Sequence, residues 1–458
     1  MKHIRRCGLL LGMLMGLLPG LWAAEPGIPP VKFTDQRLSN GLRVIIAIDH
    51  TAPVFGISVT YNVGSRNEVP GRTGFAHLFE HMMFQGSQNV GKGEHFMLIL
   101  NNGGGMNGTT NEDRTNYFET LPKNQLDLAL FLESDRMRSL AVNQANLDNQ
   151  RNAVQEERRL GIDNQPYGKS ELEISNLAYD NFAYKHSTIG SMEDLNAASV
   201  EDVKNFFRIY YAPSNAVLTL VGDLDPDQTL AAVKKYFGNI PSQPAPPPVD
   251  MEEPEHYGQR SETIVDKLAR LPLVIVAYHI PAGNTPDNYA LHVLSTILSH
   301  GESSPMYLHL VKDKQLAAQV FTEAEARRGP SLFYLYGVAR PGVKVEDLQK
   351  GLIDEVEAIR KNGVTAAELD KARAQMRADE IHRRANDLSV AIQIGQDAVY
   401  FNDPNLINTE YEKLAAVSAD QVKQAADKYL TTDESAVVIT LPGQQKAAAG
   451  AAAHGGAR

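Results

Sequence analysis

Two histidines and a glutamate stand together in the run His77-Leu78-Phe79-Glu80-His81. Histidines four residues apart lie on the same side of an α-helix, so both imidazoles can face one ion. Imidazole nitrogen suits Zn²⁺, which it binds at about 2.0–2.1 Å. Glu80, directly before the second histidine, suits a general base that takes a proton from the attacking water. The spacing predicts a hydrolytic zinc centre, and the alternative is a solvated helix face that carries two histidines by chance.

A catalytic zinc usually has three protein ligands and keeps its fourth position open. The third ligand must therefore come from another part of the chain. The polar helical segment 155–159 offers two consecutive carboxylates, Glu156 and Glu157. Spacing alone does not choose between them, and without the two histidines this segment would be interpreted as a solvated charge run.

An amphipathic helix must present the two histidines. The apolar residues between positions 74 and 84 recur at helical spacing, and they are Phe75, Leu78, Phe79, Met82 and Met83. At 100° per residue these five occupy one side of the helix, and the histidines and Glu80 occupy the other. We predict that the apolar side packs into a core and serves no cofactor, while the polar side faces the site.

The chain divides into two halves that share one order of elements. The boundary is the Pro-rich acidic stretch 241–256, which is typical of an exposed linker. In the first half the predicted elements are strand Val54–Tyr61, helix Gly74–Phe84, a charged helix ending near Glu157, helix 200–210 and strand Ala216–Val221. In the second half they are strand Leu273–Tyr278, helix Tyr289–Leu298, a charged helix ending near Glu380, helix Ala419–Tyr429 and strand Ala436–Leu441. The shared order indicates a duplicated α+β unit, with domains at 25–240 and 257–445.

Both ends of the chain differ from its body. Three positive residues precede an apolar, uncharged run, Leu9–Leu21, and small residues follow it. This composition predicts a cleaved secretory signal peptide over residues 1–24, with a membrane anchor as the alternative. The single cysteine, Cys7, lies inside that segment, so the exported chain needs no disulfide. The Ala/Gly-rich stretch 446–458 is predicted to be a disordered tail. A formal net charge of −11 argues against nucleic acid as a partner.

Seven separated motifs support a family resemblance that extends from about Phe33 to Leu441. They are Asn40-Gly41-Leu42, the runs 64–68 and 74–86, Asn107 to Thr110, Ile189-Gly190-Ser191, the run 211–215, and Gly222-Asp223. Together they resemble the pitrilysin/insulinase family of inverted-motif zinc metallopeptidases, in particular the half-length members related to mitochondrial processing peptidase. The resemblance implies two homologous sheet-plus-helix domains that form a clam-like chamber for peptide-bond hydrolysis.

The resemblance also implies residue roles. The family's third zinc ligand is the glutamate directly before an Arg-Arg position, which selects Glu157 here. His77, His81 and Glu157 would then hold one Zn²⁺ per chain, with Glu80 as the general base. A family carboxylate two helical turns before the third ligand appears in this chain as Gln150.

Substrate binding is a further implication of the resemblance. An extended peptide is expected to pair with an exposed edge strand at Asn107, Gly108 and Thr109. Such pairing recognises the peptide backbone, so selectivity for the peptide sequence is loose. The alternative for Asn107 is a simple turn residue.

The second half is expected to lack zinc. In the alignment of the halves, His292 stands for His77, but Ser295 and Thr296 stand for Glu80 and His81, and Asp379 stands for Glu157. We expect His292 to be an ordinary core or surface histidine.

The site also lacks two groups that active members of the resembled family use. These are an arginine and a tyrosine of a C-terminal domain, which position substrate and stabilise the developing negative charge. The matching stretch, 310–318, carries Val311 and Ala318 at those positions, and neither side chain can donate a hydrogen bond. The adjacent Lys312 is predicted to point elsewhere. We expect a heterodimer with a homologous subunit that supplies the Arg/Tyr pair, and the alternatives are a homodimer or an active monomer with other donors.

The export signal and the resemblance to Gram-negative periplasmic members predict a periplasmic peptidase that acts on peptides, with no membrane anchor after signal cleavage. The alternative function is a non-catalytic structural or binding subunit of a larger assembly. The intact His-x-x-Glu-His motif argues against that alternative.

Overall fold

Two mixed β-sheets organise the chain from Val31 onward, in a computed structural model that describes residues 27–254 and 258–443. The predicted signal peptide, 1–24, and the predicted tail, 446–458, lie outside the described residues. None of the helices described below combines the length and the apolar character that a membrane span requires.

The first sheet has six strands: β1 (Phe33–Arg37), β2 (Arg43–Ile48), β3 (Val54–Tyr61), β4 (Gly105–Thr110), β5 (Thr115–Pro122) and β6 (Ala216–Gly222). Their spatial order is β1-β2-β6-β3-β5-β4, and all neighbours are antiparallel except β2 and β6. The inner strands are apolar along most of their length because helices cover both faces of the sheet. Strand β4 lies at the edge.

The second sheet has five strands: β7 (Arg260–Asp266), β8 (Leu273–Ile280), β9 (Ala317–Ala324), β10 (Ser331–Ala339) and β11 (Ser435–Pro442). Their order, β7-β11-β8-β10-β9, repeats the order of the first sheet from β2 to β4, and each sheet has one parallel pair at the matching place, β7 with β11 here and β2 with β6 in the first sheet. The repeat agrees with the predicted duplication, and β1 has no counterpart among the described residues.

Nine helices lie in the described part of the first half, residues 27–254: α1 (Phe75–Met82), α2 (Glu94–Asn101), α3 (Leu126–Ser139), α4 (Gln144–Arg158), α5 (Gly168–Ala178), α6 (Phe182–Lys185), α7 (Met192–Ala197), α8 (Val200–Tyr210) and α9 (Pro226–Phe237). Six of the described helices lie in the second half: α10 (Pro286–Ser299), α11 (Val345–Asn362), α12 (Ala366–Arg384), α13 (Asp387–Tyr400), α14 (Leu406–Ala415) and α15 (Ala419–Tyr429). Helices α8 and α15 have the predicted bounds because a serine capping box fixes each start. Helix α12 runs a turn beyond its predicted end.

Each half contributes one helix to the other half's sheet. Side chains of α13, Val390 and Ile394 among them, form a buried apolar cluster with Ile45 and Val217 of the first sheet. The approach is close, since a Cβ added at Gly56 would lie 2.6 Å from the Cα of Leu388. Helix α5 packs in the same way on the second sheet, where Ile174 and Ala178 join Ile275 and Val438. Neither sheet is therefore covered by its own half alone.

The described part of the predicted linker, 241–254, contains no helix or strand. It is nevertheless held to the first half. Glu253 accepts hydrogen bonds from the backbone N–H groups of Asp180 and Asn181, and the sulfur of Met251 lies 3.3 Å from Tyr184 Oη. The domain boundaries at this stretch stay a prediction.

Candidate metal centre

Helix α1 presents the site and is anchored at its first residues. It begins after Gly74, whose φ of 83° lies in the left-handed region that glycine adopts without strain. The buried carboxylate of Glu68 accepts the N–H groups of Gly74 and Ala76, at 2.8 and 2.7 Å, and His186 Nε2 lies 2.9 Å from the same carboxylate. An anion at the positive end of a helix is favourable, so Glu68 fixes the start of α1.

Three side chains with metal-binding atoms, those of His77, His81 and Glu157, meet on the polar side of α1. His77 Nε2 lies 3.6 Å from Glu157 Oε1, and His81 Nε2 lies 3.2 Å from Glu157 Oε2. The candidate ligand atoms of all three residues lie within 4.8 Å of one another. Ligands around a tetrahedral Zn²⁺ at about 2.0–2.1 Å stand about 3.3 Å apart, so the donor set and its spacing fit zinc.

Glu157, and not Glu156, faces the histidines. It lies near the end of α4, where the next residue, Arg158, donates from Nη1 to the carbonyl of Gly190. Gly190 packs so closely on Gly74 that an added Cβ would lie 2.4 Å from the Gly74 Cα. The end of α4 is therefore tied to the start of α1. Glu156 is exposed and pairs with Arg159 at 3.0 Å instead.

Glu80 lies beside the histidines with its carboxylate held in place. Thr110 Oγ1 donates to Glu80 Oε2 at 2.6 Å, and an added Cβ at Gly108 would lie 3.0 Å from Glu80 Oε1. Burial raises the pKa of Glu80, while the Thr110 hydrogen bond opposes that effect. A raised pKa favours proton uptake near neutral pH, which suits a general base.

The second ring nitrogens of the two histidines differ in their surroundings. His81 Nδ1 lies 3.3 Å from Gln150 Oε1, the position at which the resemblance implies a carboxylate. His77 Nδ1 is buried and has no hydrogen-bond partner within residues 27–254 and 258–443. Partners at these nitrogens orient a histidine and raise its basicity, so this support is weak here.

The ionisation of two of the three candidate ligands, His77 and Glu157, suits metal binding, whereas His81 has to give up its proton to a metal. Burial lowers the pKa of His77 to about 4, and His81 reinforces that effect. Burial alone would lower the pKa of His81 too, but the hydrogen bond and charge of Glu157 outweigh it and raise the pKa. The pKa of Glu157 is lowered, chiefly by its hydrogen bond to His81. His77 is thus neutral and Glu157 charged at neutral pH, as ligands must be.

The predicted substrate-binding residues lie on β4, an edge strand as expected. Asn107 and Thr109 are exposed, whereas Gly108 is buried against Glu80. The N–H of Gly108 bonds to Asn107 Oδ1 at 2.9 Å. Any larger residue at position 108 would place its side chain in the space that the Glu80 carboxylate occupies, which explains why this position is a glycine.

The second half has no comparable donor set in its described residues. His292 is exposed and lines a cavity of about 740 Å³ together with Ser295, Thr296 and Asp379, its predicted counterparts of the zinc motif. Val311 is buried in the apolar core of this half, and Ala318 is exposed on β9. Lys312 stacks over the Tyr307 ring at 5.4 Å.

A second group of ligand-type side chains escaped the sequence analysis. His95 of α2, Glu119 of β5 and Glu133 of α3 meet in the core, with His95 Nε2 2.6 Å from Glu119 Oε1. Arg136 pairs with Glu133 and lies 4.5 Å above the Tyr117 ring. Its guanidinium supplies the positive charge that two buried carboxylates require, so we interpret this group as an internal ion-pair cluster.

Sequence profiles of two protein families match the chain. The profile described as Insulinase (Peptidase family M16) matches residues 43–191, and the profile described as Peptidase M16 inactive domain matches residues 197–376. Zinc protease PqqE of Helicobacter pylori is 32% identical over 450 residues, which are 96% of this chain and 100% of that protein. The probable mitochondrial-processing peptidase subunit beta of Arabidopsis thaliana is 23% identical over 417 residues, 88% of this chain and 77% of that protein.

Solved structures agree with this assignment. The crystal structure of a protease from Helicobacter pylori has a TM-score of 0.86 at 31% identity, covering 90% of this chain and 100% of that chain. The first half of the periplasmic protease PqqL from Escherichia coli has a TM-score of 0.73 and covers 91% of this chain and 94% of that chain. Its identity is 17%, so it shows the fold alone.

The chain belongs to the M16 (insulinase) family of peptidases, as a half-length member. The predicted fold class is confirmed, since the structure has two sheet-plus-helix layers and its neighbours form the clam-like chamber of this family. The relatives named zinc protease support a metallopeptidase that uses zinc.

Proposed function

We propose that the chain is a zinc-dependent endopeptidase subunit in which His77, His81 and Glu157 hold one Zn²⁺. The observation that carries this proposal is the meeting of these three side chains next to Glu80, at spacings that suit a tetrahedral zinc. His77 and His81 come from one helix and Glu157 from another, and the tie between Arg158 and Gly190 supports a preformed site.

The chemistry divides between the ion and the chain. When bound, Zn²⁺ supplies a Lewis acid that polarises a peptide carbonyl and makes water more acidic. Glu80 accepts the proton of the attacking water and passes it to the leaving amine. Thr110 orients the Glu80 carboxylate through its 2.6 Å hydrogen bond, and the burial of Glu80 excludes bulk water from it.

Strand β4 aligns the substrate in this proposal. A peptide or an unfolded polypeptide segment would lie along Asn107, Gly108 and Thr109 at the free edge, where the backbone groups of Gly108 are the ones of these three that face an added strand. The support is the edge position of β4 and the contact between Gly108 and Glu80. Backbone pairing places the scissile bond without a requirement for one particular sequence.

Full activity is proposed to need a homologous partner subunit in the periplasm. The positions that resemble the family's arginine and tyrosine carry Val311 and Ala318, which cannot stabilise a developing negative charge. The composition of residues 1–24 supports export, and the PqqL structure gives a periplasmic member of the same fold.

The test is a metal and activity assay on the purified chain. We expect about one zinc per chain, cleavage of a random peptide library detected by mass spectrometry, and loss of both after chelation. The matched control is Glu80→Gln, which should keep zinc without cleavage. A folded chain that binds no zinc would refute the proposal and favour a binding subunit.

A further inference from the structure

Arg114 lies in the tight turn between β4 and β5, and in the part of the chain that the structure describes no carboxylate contacts it directly, although its charge acts on Glu80 from a distance. The acidic residues before it are already paired, Glu112 with Arg327 at 3.3 Å and Asp113 with Arg66 at 3.0 Å. Within residues 27–254 and 258–443, the Arg114 side chain forms no ion pair. It donates to uncharged acceptors of two residues, which are the carbonyl and hydroxyl of Thr109, at 2.9 and 2.5 Å, and the amide oxygen of Gln396, at 3.4 Å.

The two faces of β4 lead to different surroundings, because successive side chains of a strand point to opposite faces. Thr110 Oγ1 contacts Glu80, and position 108 faces Glu80 as well. Thr109 has the opposite orientation, and its hydroxyl contacts Arg114. The guanidinium therefore lies on the face of the strand that is turned away from the zinc-site helix, next to Gln396 of α13.

The free edge of β4 can be assigned from the hairpin. The N–H of Asn111 donates to the carbonyl of Arg114 at 3.0 Å, which closes the turn. Bonded and non-bonded pairs alternate along antiparallel strands, so the backbone groups of Gly108 and Met106 point to the free edge. The N–H of Gly108 bonds to Asn107 Oδ1, a contact that an added strand would replace.

We propose that Arg114 is a specificity residue that binds an acidic side chain of the peptide substrate. The proposal rests on the proposed function, because it requires a peptide that pairs with β4. Successive side chains of an extended peptide also point in opposite directions. One set of them therefore faces the zinc-site helix, and the other set lies beside Arg114. A glutamate or aspartate in the second set forms a charge-assisted hydrogen bond with a cation that has no anion of its own.

This preference acts at short range and at defined positions. The acidic residue must be next to a residue whose side chain faces the zinc-site helix, and an acidic residue in the other set gains nothing from Arg114. The net charge of −11 acts over longer distances, where salt screens it beyond about 10 Å. The direct hydrogen bond to Arg114 therefore outweighs the repulsion between an acidic peptide and the net negative charge of the chain.

The experiment measures binding, so that it does not depend on turnover. Terminally blocked fluorescent peptides with glutamate, glutamine or lysine scanned through each position are titrated against the zinc-chelated full chain by anisotropy. We expect about tenfold tighter binding for glutamate over glutamine at alternate positions. Arg114→Gln should abolish the difference, and Arg208→Gln, an exposed arginine whose partner is Asn205, should preserve it.

A second variant keeps Arg114 and guards against a disturbed turn. Gln396→Glu places a carboxylate of the chain itself beside the guanidinium, so it should remove the glutamate preference while leaving binding of the glutamine peptide unchanged. A preference that survives both variants, or binding without any charge preference, would overturn the assignment of Arg114 alone. Failure of every peptide to bind the wild-type chain would overturn the assignment and the substrate-binding part of the proposed function together.

Discussion

Replacing Gln150 with glutamate should tighten zinc binding and destabilise the metal-free protein. His81 Nδ1 lies 3.3 Å from Gln150 Oε1, which is long for an N–H···O hydrogen bond. A carboxylate at this position would form a shorter, charge-assisted bond and would make His81 a more basic ligand. The substitution supplies the carboxylate that the family resemblance implies and this chain lacks.

The magnitude follows from the two kinds of hydrogen bond. A bond to a charged group stabilises by about 1.5–3 kcal/mol and a neutral bond by about 0.5–1.5 kcal/mol. The difference, about 1–1.5 kcal/mol, corresponds to about tenfold in Kd. Without metal the substitution should destabilise the chain. Gln150 is 9% exposed, and its Nε2 donates to Asn149 Oδ1 at 2.7 Å, a hydrogen bond that a carboxylate cannot make. The metal-free variant should lose about 1–3 kcal/mol of unfolding free energy.

The zinc Kd is measured by competition with a chromogenic chelator, and the unfolding free energy by urea denaturation after chelation. Gln155→Glu is the matched control. Gln155 lies on the same helix, is 6% exposed and donates to Asn196 Oδ1 at 2.8 Å, but its side chain is not bonded to a histidine. Both variants should destabilise the metal-free chain, and only Gln150→Glu should tighten zinc. Equal or weaker zinc binding in Gln150→Glu would refute the assignment of His81 as a ligand supported by Gln150.

Four further outcomes are expected. Glu80→Gln should keep zinc and lose at least about 10²-fold in kcat, because it removes a positioned base and no ligand; loss of zinc would contradict that role. Glu157→Gln should lose zinc on dialysis while Glu156→Gln keeps it, and metal analysis showing the reverse would move the ligand by one residue. Thr110→Val removes the 2.6 Å hydrogen bond to Glu80 and should lower kcat by about tenfold or more at unchanged zinc content; an unchanged kcat would show that Glu80 needs no such support. Addition of a homologous chain with the Arg/Tyr pair should raise peptidase activity by about 10²-fold or more, and full activity of the isolated monomer would contradict the need for a partner.

The part of the structure that local chemistry determines could be predicted from the sequence. The bounds predicted for helices α8 and α15 agree with the structure, in which a serine capping box, a local feature, fixes each start. The zinc motif was found for the same reason, since His77 and His81 lie one turn apart. The choice of Glu157 needed the family resemblance, because spacing alone left Glu156 open.

Contacts between distant segments could not be predicted in this way. Glu68 caps α1 from a preceding loop, and Thr110 reaches Glu80 from another element, so no periodicity connects either pair. The exchange of α5 and α13 between the sheets also has no sequence signal, because each helix has an ordinary amphipathic pattern that fits either sheet. Two glycines mark the contact of α13 with the first sheet: Gly56 of β3, next to Leu388, and Gly395 of α13, where an added Cβ would lie 2.7 Å from Thr60 Oγ1.

The surroundings of Val311 give a physical reason why this chain cannot easily carry the arginine of active relatives. Val311 is 7% exposed in the apolar core of the second half. Arg340 already lies beside it, donating from Nη2 to the carbonyl of Val311 at 3.1 Å and from Nε to the carbonyl of Ala317 at 3.2 Å. A guanidinium in place of the Val311 side chain would be buried in this apolar cluster, and burying an unpaired charge costs several kcal/mol. The packing of the second half is thus consistent with the proposed divided site, in which this chain would supply the zinc ligands and the base and a partner subunit the groups that stabilise the developing negative charge.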